Sequence, residues 1–503
     1  MNERPRTRPD RPRLLADQAF SRAAGAPLVR GNAVRLLKDA AENFPAWLEA
    51  IRAASRSIFL ESYIFDDDQT GREFRDALTE RAKAGVRVFV LHDWLGSPGK
   101  LSSRFWRPLV DAGAAVRAFN PPRFDSPLGW LSRDHRKCAA IDGRVAFVSG
   151  LCISRAWLGD PAKGKDPWRD TGIELRGPAI AEVERAFAQV WATTGEQLAD
   201  GELTDPTSID EAGDVSLRVV ASAPAGSELM RLDQLVASIA RSRLWLSDAY
   251  FVPVLAYVQA LIAAARDGVD VRLLVPGASD VPLVSWLSRS IYRPLLDAGV
   301  RVFEWNGTMM HAKTAVVDGR WARVGSTNLN LASFVGNYEI DVAVEDEGFA
   351  KEMERAYLED LARASEVLLR PGRRSPRPAQ RRSDRVRRAP SGSVGRAIAG
   401  TVRFGSAVRL AILRPGPSPF AETRVMFAAT ALLIAVAVLG TLWPRVVAWP
   451  LAAIALWFAI ALLIRAWRGL RDARRSHMAS RRSSRSRTVP VPQIEGDGDE
   501  RDT

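Results

Sequence analysis

The sequence predicts an α/β protein built from two tandem copies of one α/β domain, with mainly parallel sheets flanked by helices, followed by a C-terminal transmembrane hairpin of two helices. Three observations support this prediction. An H-x-K-x-x-x-x-D-G-R frame occurs twice, at 135–144 and 311–320. Apolar strand-like segments alternate with helical segments in the same order around each copy. Two long stretches near the C-terminus contain no charged residue.

Three further pairs of segments indicate that the whole domain is duplicated. The pairs, first half before second, are SRSIFLESYIF (55–65) with SRLWLSDAYFV (242–252), AKAGVRVFVL (82–91) with ARDGVDVRLL (265–274), and RPLVDAG (107–113) with RPLLDAG (293–299). Each half is therefore predicted as strand, helix, strand, helix and strand, followed by the strand that carries the frame. The predicted domains cover 36–205 and 206–370.

Composition limits the class of protein. A chain of 503 residues exceeds what one hydrophobic core usually organises, which favours two domains. A formal net charge of +13 indicates an anionic partner, although charge alone does not distinguish a membrane surface from nucleic acid. The two cysteines, Cys138 and Cys152, are too few for a disulfide framework and favour a reducing compartment. The basic N-terminal extension, 1–35, has no apolar signal-peptide segment, so we expect the folded domains in the cytosol.

The predicted hairpin covers 425–465. Its two uncharged runs, Val425 to Trp443 and Val446 to Ile464, have 19 residues each, and at about 1.5 Å per residue each helix spans about 28 Å, close to a bilayer core of roughly 30 Å. Arginines flank the outer ends while only Arg445 lies in the turn, which places both ends in the cytosol. A pair of buried core helices is the alternative, which such long apolar runs disfavour.

The segments on either side of the hairpin are predicted to lie outside any folded domain. Residues 371–424 form a basic linker, in which 394–414 has an amphipathic helical pattern. Gly395, Gly400 and Gly405 weaken such a helix, so a disordered tether is the alternative. Residues 466–503 form a disordered cytosolic tail.

The repeated frame carries the chemistry. On a strand, residues two apart point to the same face, so His135 with Lys137, and His311 with Lys313, each present an imidazole beside an ammonium group. Imidazole serves as nucleophile or general acid near neutral pH, and lysine stabilises an oxyanion at phosphorus. A single histidine on a strand is usually a satisfied polar group. Two of only four histidines at equivalent places in a repeat argue against that interpretation here.

The frame and the residues after it resemble the signature of the phospholipase D superfamily, H-x-K-x(4)-D followed by x(6)-G-S-x-N. The resemblance covers about residues 40 to 370. The second copy matches throughout, at His311, Lys313, Asp318, Gly325, Ser326 and Asn328. The first copy keeps His135, Lys137 and Asp142, but has Cys152 at the place of the asparagine.

The resemblance implies that both motifs line one cleft, where one histidine attacks phosphorus to form a phosphohistidine and the other protonates the leaving alcohol. Neither a metal nor another cofactor is expected. Carried over, His135 is the nucleophile and His311 the acid and then the base, with the reverse assignment left open. The remaining roles fall to Lys137, Lys313, Ser326 and Asn328 as phosphate contacts, Asp170 and Glu339 as carboxylates that orient the imidazoles, and Asp142 and Asp318 as supports of motif geometry.

Cys152 is the departure from this pattern. It takes the place of a substrate-binding asparagine, and we interpret it as a small buried apolar residue rather than a reactive thiol. If it does not donate a hydrogen bond, one phosphate contact is lost. A non-catalytic member of the superfamily therefore stays among the alternatives.

Within the superfamily, YIFDDDQTGREF (63–74), DAYFVP (248–253) and the W-R-D-T and G-N-Y-E-I-D segments are most similar to bacterial cardiolipin synthases. This similarity implies a membrane-bound phosphatidyltransferase of the bacterial inner membrane that joins two phosphatidylglycerol molecules into cardiolipin and glycerol. The alternatives are a hydrolytic phospholipase D releasing phosphatidic acid, a phosphodiesterase nuclease, and a non-catalytic lipid-binding protein. We expect phosphatidylglycerol and the membrane as partners and no nucleic acid; the oligomeric state is left open.

Overall fold

The structure is a computed structural model that describes residues 11–97, 103–122, 132–160, 162, 164–369 and seven single positions between 449 and 463. Its contacts divide the chain into two compact units, 1–121 with 131–425, and 122–130 with 426–503. The first unit contains the β-sheet and the helices that cover it. Apart from those single positions, the predicted linker, hairpin and tail lie outside the described residues. None of the helices in the described part has both the length and the hydropathy needed to cross a bilayer.

Within the described residues, the first half contains five α-helices and seven strands. The helices are α1 (Arg11–Ala24), α2 (Asp39–Ala53), α3 (Gln69–Lys83), α4 (Ser103–Asp111) and α5 (Ile180–Trp191). The strands are β1 (Val29–Lys38), β2 (Ser57–Ser62), β3 (Arg87–Asp93), β4 (Ala115–Phe119), β5 (Lys137–Ile141), β6 (Val145–Ser149) and β7 (Thr171–Arg176). The predicted domain boundary at residue 36 falls inside β1, so the segment predicted as an extension contributes α1 and most of a strand.

The second half repeats this order. Its strands are β8 (Val215–Ser222), β9 (Arg243–Ser247), β10 (Asp270–Pro276), β11 (Arg301–Trp305), β12 (Thr314–Val317), β13 (Trp321–Gly325), β14 (Glu339–Glu345) and β15 (Ala364–Glu366). Its helices are α6 (Glu228–Ile239), α7 (Leu255–Arg266), α8 (Pro282–Asp297) and α9 (Glu347–Leu361). The histidine motifs lead into β5 and β12, which occupy equivalent places in the two halves.

All fifteen described strands form one sheet, in the order β15-β11-β10-β9-β12-β13-β14-β8-β1-β7-β6-β5-β2-β3-β4. Without β15 the order is symmetric about the pairing of β8 with β1, so each half contributes an equivalent set of seven. The prediction of mainly parallel sheets is wrong. Ten of the fourteen strand pairs are antiparallel, and parallel pairing is confined to β2-β3-β4 and β9-β10-β11.

For the pairs β5-β6 and β12-β13, the physical reason for this error is the Asp-Gly pair of the repeated frame. Asp142 and Gly143 have φ of 57° and 66°, and Asp318 and Gly319 have φ of 52° and 64°. Two successive residues in the left-handed region are typical of the tight turns that join antiparallel strands, and Asp-Gly is a strong sequence signal for them. Each histidine motif strand therefore turns back directly into its neighbour as a hairpin.

The aspartate of each turn also fixes the neighbouring strand. Asp142 accepts hydrogen bonds at 2.8–2.9 Å from the backbone amides of residues 55–57, which lead into β2. Asp318 accepts equivalent bonds at 2.8–2.9 Å from the amides of residues 241–243, which lead into β9. Both carboxylates therefore lie at the turn end of the motif strand, away from the histidine that precedes the other end.

Apolar side chains cover both faces of the sheet. On one face, α5 and α9 pack over strands of both halves in a single shared core, which includes Phe187, Val342 and Phe349. On the opposite face, α2, α3 and α4 cover the first half, and α6, α7 and α8 cover the second. The shared core and the β1–β8 pairing hold the two motif strands at a fixed separation.

Candidate active site

Each histidine motif is anchored on the backbone of the opposite half. The amide nitrogen of His135 donates to the carbonyl oxygen of Tyr338 at 2.9 Å, and the amide of His311 donates to the carbonyl of Arg169 at 2.7 Å. The two contacts are equivalent in the repeat. The motif strands of both halves therefore meet at one place in the molecule.

Two buried imidazole–carboxylate pairs form the centre of the site. Nδ1 of His135 lies 2.8 Å from Oε2 of Glu339, and Nδ1 of His311 lies 2.7 Å from Oδ2 of Asp170. Both histidines are only 4% exposed. In each pair the carboxylate comes from the other half. A carboxylate at Nδ1 places the ring proton there, which leaves Nε2 as the basic nitrogen of each imidazole.

The two motif lysines are buried beside these pairs. Nζ of Lys313 lies 2.9 Å from Nδ1 and 3.0 Å from Nε2 of His311. Lys137 and Lys313 each also donate to the carbonyl oxygen of the histidine in their own motif. Burial has the largest effect on the pKa values of His311 and Glu339, and the charge of Lys137, from the other half, also acts on both: it adds to the lowering for His311 and opposes the rise for Glu339. The two motifs therefore act on one another electrostatically and form a single site.

The two pairs differ in their acid–base properties. Burial and the adjacent Lys313 together lower the pKa of His311 to about 4, against the opposing effect of Asp170. Burial would raise the pKa of Asp170, but His311 and other neighbours hold it at about 2. Burial raises the pKa of Glu339 to about 7 in spite of Lys137 and Ser326. Environments that separate the pKa values of similar groups are typical of acid–base sites.

The predicted phosphate contacts differ between the halves. Ser326 Oγ donates to Oε2 of Glu339 at 2.6 Å. Asn328 is completely buried, and neither its amide oxygen nor its amide nitrogen has a hydrogen-bond partner within the described residues. Because an unpaired buried amide is costly, a bound ligand is a natural partner for it. Cys152, the residue of the first half that corresponds to Asn328, packs in the apolar core of that half. Burial raises the pKa of its thiol to about 11 despite the charge of Lys137.

Two tyrosines of the site were not predicted from the sequence. The ring centroids of Tyr63 and His135 lie 5.0 Å apart, and those of Tyr250 and His311 lie 5.8 Å apart. Lys137 and Lys313 lie over these rings at 5.2 and 5.9 Å. The sequence does contain a signal for these tyrosines, because both occupy the same place in the repeated segments SRSIFLESYIF and SRLWLSDAYFV.

Two tryptophans also contact the second histidine. The ring centroid of Trp157 lies 5.2 Å from that of His311, and the ring centroid of Trp168 lies 5.7 Å from that of His311. Trp157 donates from Nε1 to Oδ2 of Asp170 at 2.8 Å. Sequence reasoning did not find Trp157, because it precedes the W-R-D-T segment in an irregular stretch outside the repeated segments.

The structure brings together most of the predicted site residues and separates two of them. Asp142 and Asp318 lie at the hairpin turns, where they bind backbone amides. In the part of the chain that the structure describes, no three side chains of histidine, cysteine, aspartate or glutamate are placed to hold a metal ion. Two imidazoles with basic Nε2 atoms and two buried ammonium groups are suited to a two-step displacement at an anionic phosphorus.

Comparisons with known proteins agree with this chemistry. Residues 47–191 and 235–361, together more than half of the chain, match the family model described as "Cardiolipin synthase, PLD-like domain". The cardiolipin synthase of Geobacillus sp. (strain WCH70) is 33% identical over 70% of each chain. Cardiolipin synthase A of Pseudomonas fluorescens (strain SBW25) is 35% identical over 70% of this chain and 73% of its own. Cardiolipin synthase A of Pseudomonas aeruginosa (strain LESB58) is 36% identical over 74% and 75%.

A solved structure has the same fold. The phosphatidylserine synthase of Haemophilus influenzae Rd KW20 superimposes with a TM-score of 0.54 at 16% identity, covering 70% of this chain and 92% of its own. Each region matched by the family model contains one of the two histidine motifs described above. The chain therefore belongs to the phospholipase D-like family of cardiolipin synthases.

Proposed function

We propose that this chain is a phosphatidyltransferase that joins two phosphatidylglycerol molecules into cardiolipin and releases glycerol. The observation that carries the proposal is the pair of buried imidazole–carboxylate couples, His135 with Glu339 and His311 with Asp170. A nucleophile and an acid are both needed at one phosphorus, and the two halves supply one imidazole each. Family membership and the relatives named cardiolipin synthase support cardiolipin as the product.

In the first step, Nε2 of His135 attacks the phosphorus of one phosphatidylglycerol. The bond from phosphorus to the glycerol oxygen breaks, and His311 donates a proton to that oxygen. Glycerol leaves, and the phosphatidyl group stays on His135. Lys137, Lys313 and Asn328 would stabilise the negative charge on the phosphate oxygens as it grows.

In the second step, His311 takes a proton from a hydroxyl group of a second phosphatidylglycerol. The oxygen of that hydroxyl attacks phosphorus, the phosphorus–nitrogen bond to His135 breaks, and cardiolipin is formed. Water in place of the lipid hydroxyl would give phosphatidic acid instead. The aromatic rings of Trp157, Trp168 and Tyr250 around His311 support lipid transfer, because apolar walls disfavour water at the acceptor position.

The acid must carry a proton when the substrate is bound. Burial and the charge of Lys313 hold the pKa of His311 near 4, with Lys137 acting in the same direction. A phosphodiester carries one negative charge, which opposes the effect of both lysines and raises the pKa of His311. We infer that substrate binding itself loads the proton that the first step uses.

We further propose that residues 425–465 form a hairpin in the bacterial inner membrane, with both ends and both catalytic halves on the cytosolic side. The arginines outside the two apolar runs support this orientation. The basic residues of 371–424 would hold the catalytic halves near anionic lipid head groups.

The reaction is tested with the purified full chain and labelled phosphatidylglycerol, by resolving the lipid products. We expect cardiolipin and glycerol in equal amounts. His135→Ala and His311→Ala should each lower the rate about 10³-fold or more, because each removes one half of the chemistry. His477→Ala, in the predicted tail, is the matched control and should have no effect. Phosphatidic acid without cardiolipin would contradict the proposal, as would full activity in both active-site variants.

The roles of the two histidines can be distinguished with a substrate whose leaving group does not need a proton. Nitrophenolate leaves without an acid, so a nitrophenyl phosphodiester of a short-chain lipid bypasses the acid but still needs the nucleophile. We expect His311→Ala to release a burst of nitrophenolate and to accumulate a labelled phosphohistidine, and His135→Ala to do neither. The reverse pattern would exchange the two roles.

The unequal phosphate contacts are tested at equivalent positions. Asn328→Ala should lower kcat/KM about 10- to 100-fold, because a buried donor to a charged oxygen is lost. Cys152→Ala should stay within about threefold of the unchanged chain, because the thiol is neutral and packed against apolar groups. Losses of equal size in steady-state kinetics would show that both positions contact phosphate.

Membrane topology is tested with C-terminal fusions in bacterial cells. A fluorescent protein that folds in the cytosol should be fluorescent, and a phosphatase that is active only in the periplasm should be inactive. An active phosphatase would place the C-terminus outside and rule out the hairpin orientation.

A further inference from the structure

The two carboxylates of the site are supported by different residues. In the second half, Ser326 Oγ donates to Glu339 at 2.6 Å. The equivalent residue in the first half is Gly150, which has no hydroxyl group. A Cβ atom at Gly150 would lie 2.2 Å from Oδ1 of Asp170, so a serine there would displace the Asp170 carboxylate. The first half therefore needs another donor if the Asp170 carboxylate is to be held as firmly as that of Glu339.

Trp157 provides that donor. Its Nε1 lies 2.8 Å from Oδ2 of Asp170, the same oxygen that lies 2.7 Å from Nδ1 of His311. Oε2 of Glu339 corresponds to this oxygen, because it accepts from Ser326 and also lies 2.8 Å from Nδ1 of His135. The other oxygens differ: Oε1 of Glu339 accepts from Asn337 at 3.3 Å, and Oδ1 of Asp170 accepts from the amide of Thr171 at 2.8 Å. In each half, one carboxylate oxygen is thus shared between an imidazole and a second donor.

The indole is fixed in place by its surroundings. Trp157 is 1% exposed and stacks at a tilt on Trp168 with ring centroids 4.8 Å apart. It ends a short 3₁₀ turn, Arg155–Trp157, in which the amide of Ala156 donates to the side-chain oxygen of Ser154 at 3.3 Å. An indole in this setting has no freedom to turn its N–H away from Asp170.

The two donors differ chemically. A hydroxyl group both donates and accepts, and Ser326 also accepts a hydrogen bond from the amide of Ile340 at 3.0 Å. An indole N–H only donates. A donor-only partner favours the charged form of a carboxylate at all times, whereas a hydroxyl can reverse its bond when the carboxyl takes up a proton. Both donors lower the pKa of the carboxyl group that they contact: His311 and Lys313, with Trp157, hold the pKa of Asp170 at about 2 against burial, and burial raises that of Glu339 to about 7 against Lys137 and Ser326.

We propose that Trp157 is a positioning residue that replaces the missing serine of the first half and holds the Asp170 carboxylate in place for His311. Through this contact the two halves of a nearly symmetric site keep different functions. The kinetic consequence rests on the two-histidine mechanism proposed above, but the effect on His311 itself does not.

The key variant is Trp157→Phe, which keeps an aromatic ring beside His311 but removes the N–H donor together with part of the indole ring. Trp47→Phe is the matched control, because Trp47 is buried in the same half and its Nε1 has no hydrogen-bond partner within the described residues. We expect Trp157→Phe to lower kcat for lipid transfer about three- to tenfold with little change in KM, as for the loss of one hydrogen bond. Trp47→Phe should stay within about twofold per folded molecule.

The second measurement follows the His311 ring directly by nuclear magnetic resonance in protein with labelled histidine. Only four histidines are present, so their ring signals can be assigned with one variant each. Without the indole donor, Asp170 becomes more basic and attracts the His311 proton more strongly, so the pKa of His311 should rise in Trp157→Phe. It should not move in Trp47→Phe.

If Trp157→Phe does not fold, benzothienylalanine at position 157 serves instead, since sulfur replaces the N–H in a side chain of nearly the same shape. An unchanged His311 titration in whichever Trp157 substitution folds would overturn the proposal, even with reduced activity, because packing alone would then explain the loss. A shifted titration in a protein that makes no cardiolipin would retain the role of Trp157 and refute only the proposed reaction.

Discussion

The site depends on hydrogen bonds exchanged between the halves. His135 of the first half is oriented by Glu339 of the second, and His311 of the second by Asp170 of the first. Neither half alone contains a complete imidazole–carboxylate pair. The pairing of β1 with β8, the shared core under α5 and α9, and the backbone contacts of both motifs all act to keep these two distances fixed.

Placing so many charges in the interior is expensive. Lys137, Lys313, Asp170 and Glu339 are all almost completely buried. Each loses its hydration on folding, and the loss is offset only because opposite charges and fixed donors surround it. A preorganised set of charges does not have to rearrange when negative charge develops on a phosphate. The free energy lost by burying these charges is therefore offset by stronger stabilisation of the transition state.

Much of the site could be predicted from the sequence. The repeat identified both histidine–lysine pairs, and the resemblance named Glu339 and Asp170 as the carboxylates that orient the imidazoles. It did not say that each carboxylate contacts the imidazole of the opposite half, because these contacts join residues more than 140 positions apart. Strand direction was predicted wrongly although Asp142-Gly143 carried the hairpin signal. Trp157 has no counterpart in the repeated segments, so duplication could not reveal it. The apolar runs near the C-terminus lie outside the described fold and stay a prediction.

The symmetric strand order has a consequence for how such a site can change. Two identical subunits meeting about a twofold axis could bring the same two motifs together, but every substitution would then appear on both sides. Joining both copies in one chain lets each side mutate alone. Gly150 and Cys152 in one copy, against Ser326 and Asn328 in the other, are differences that two identical subunits could not have.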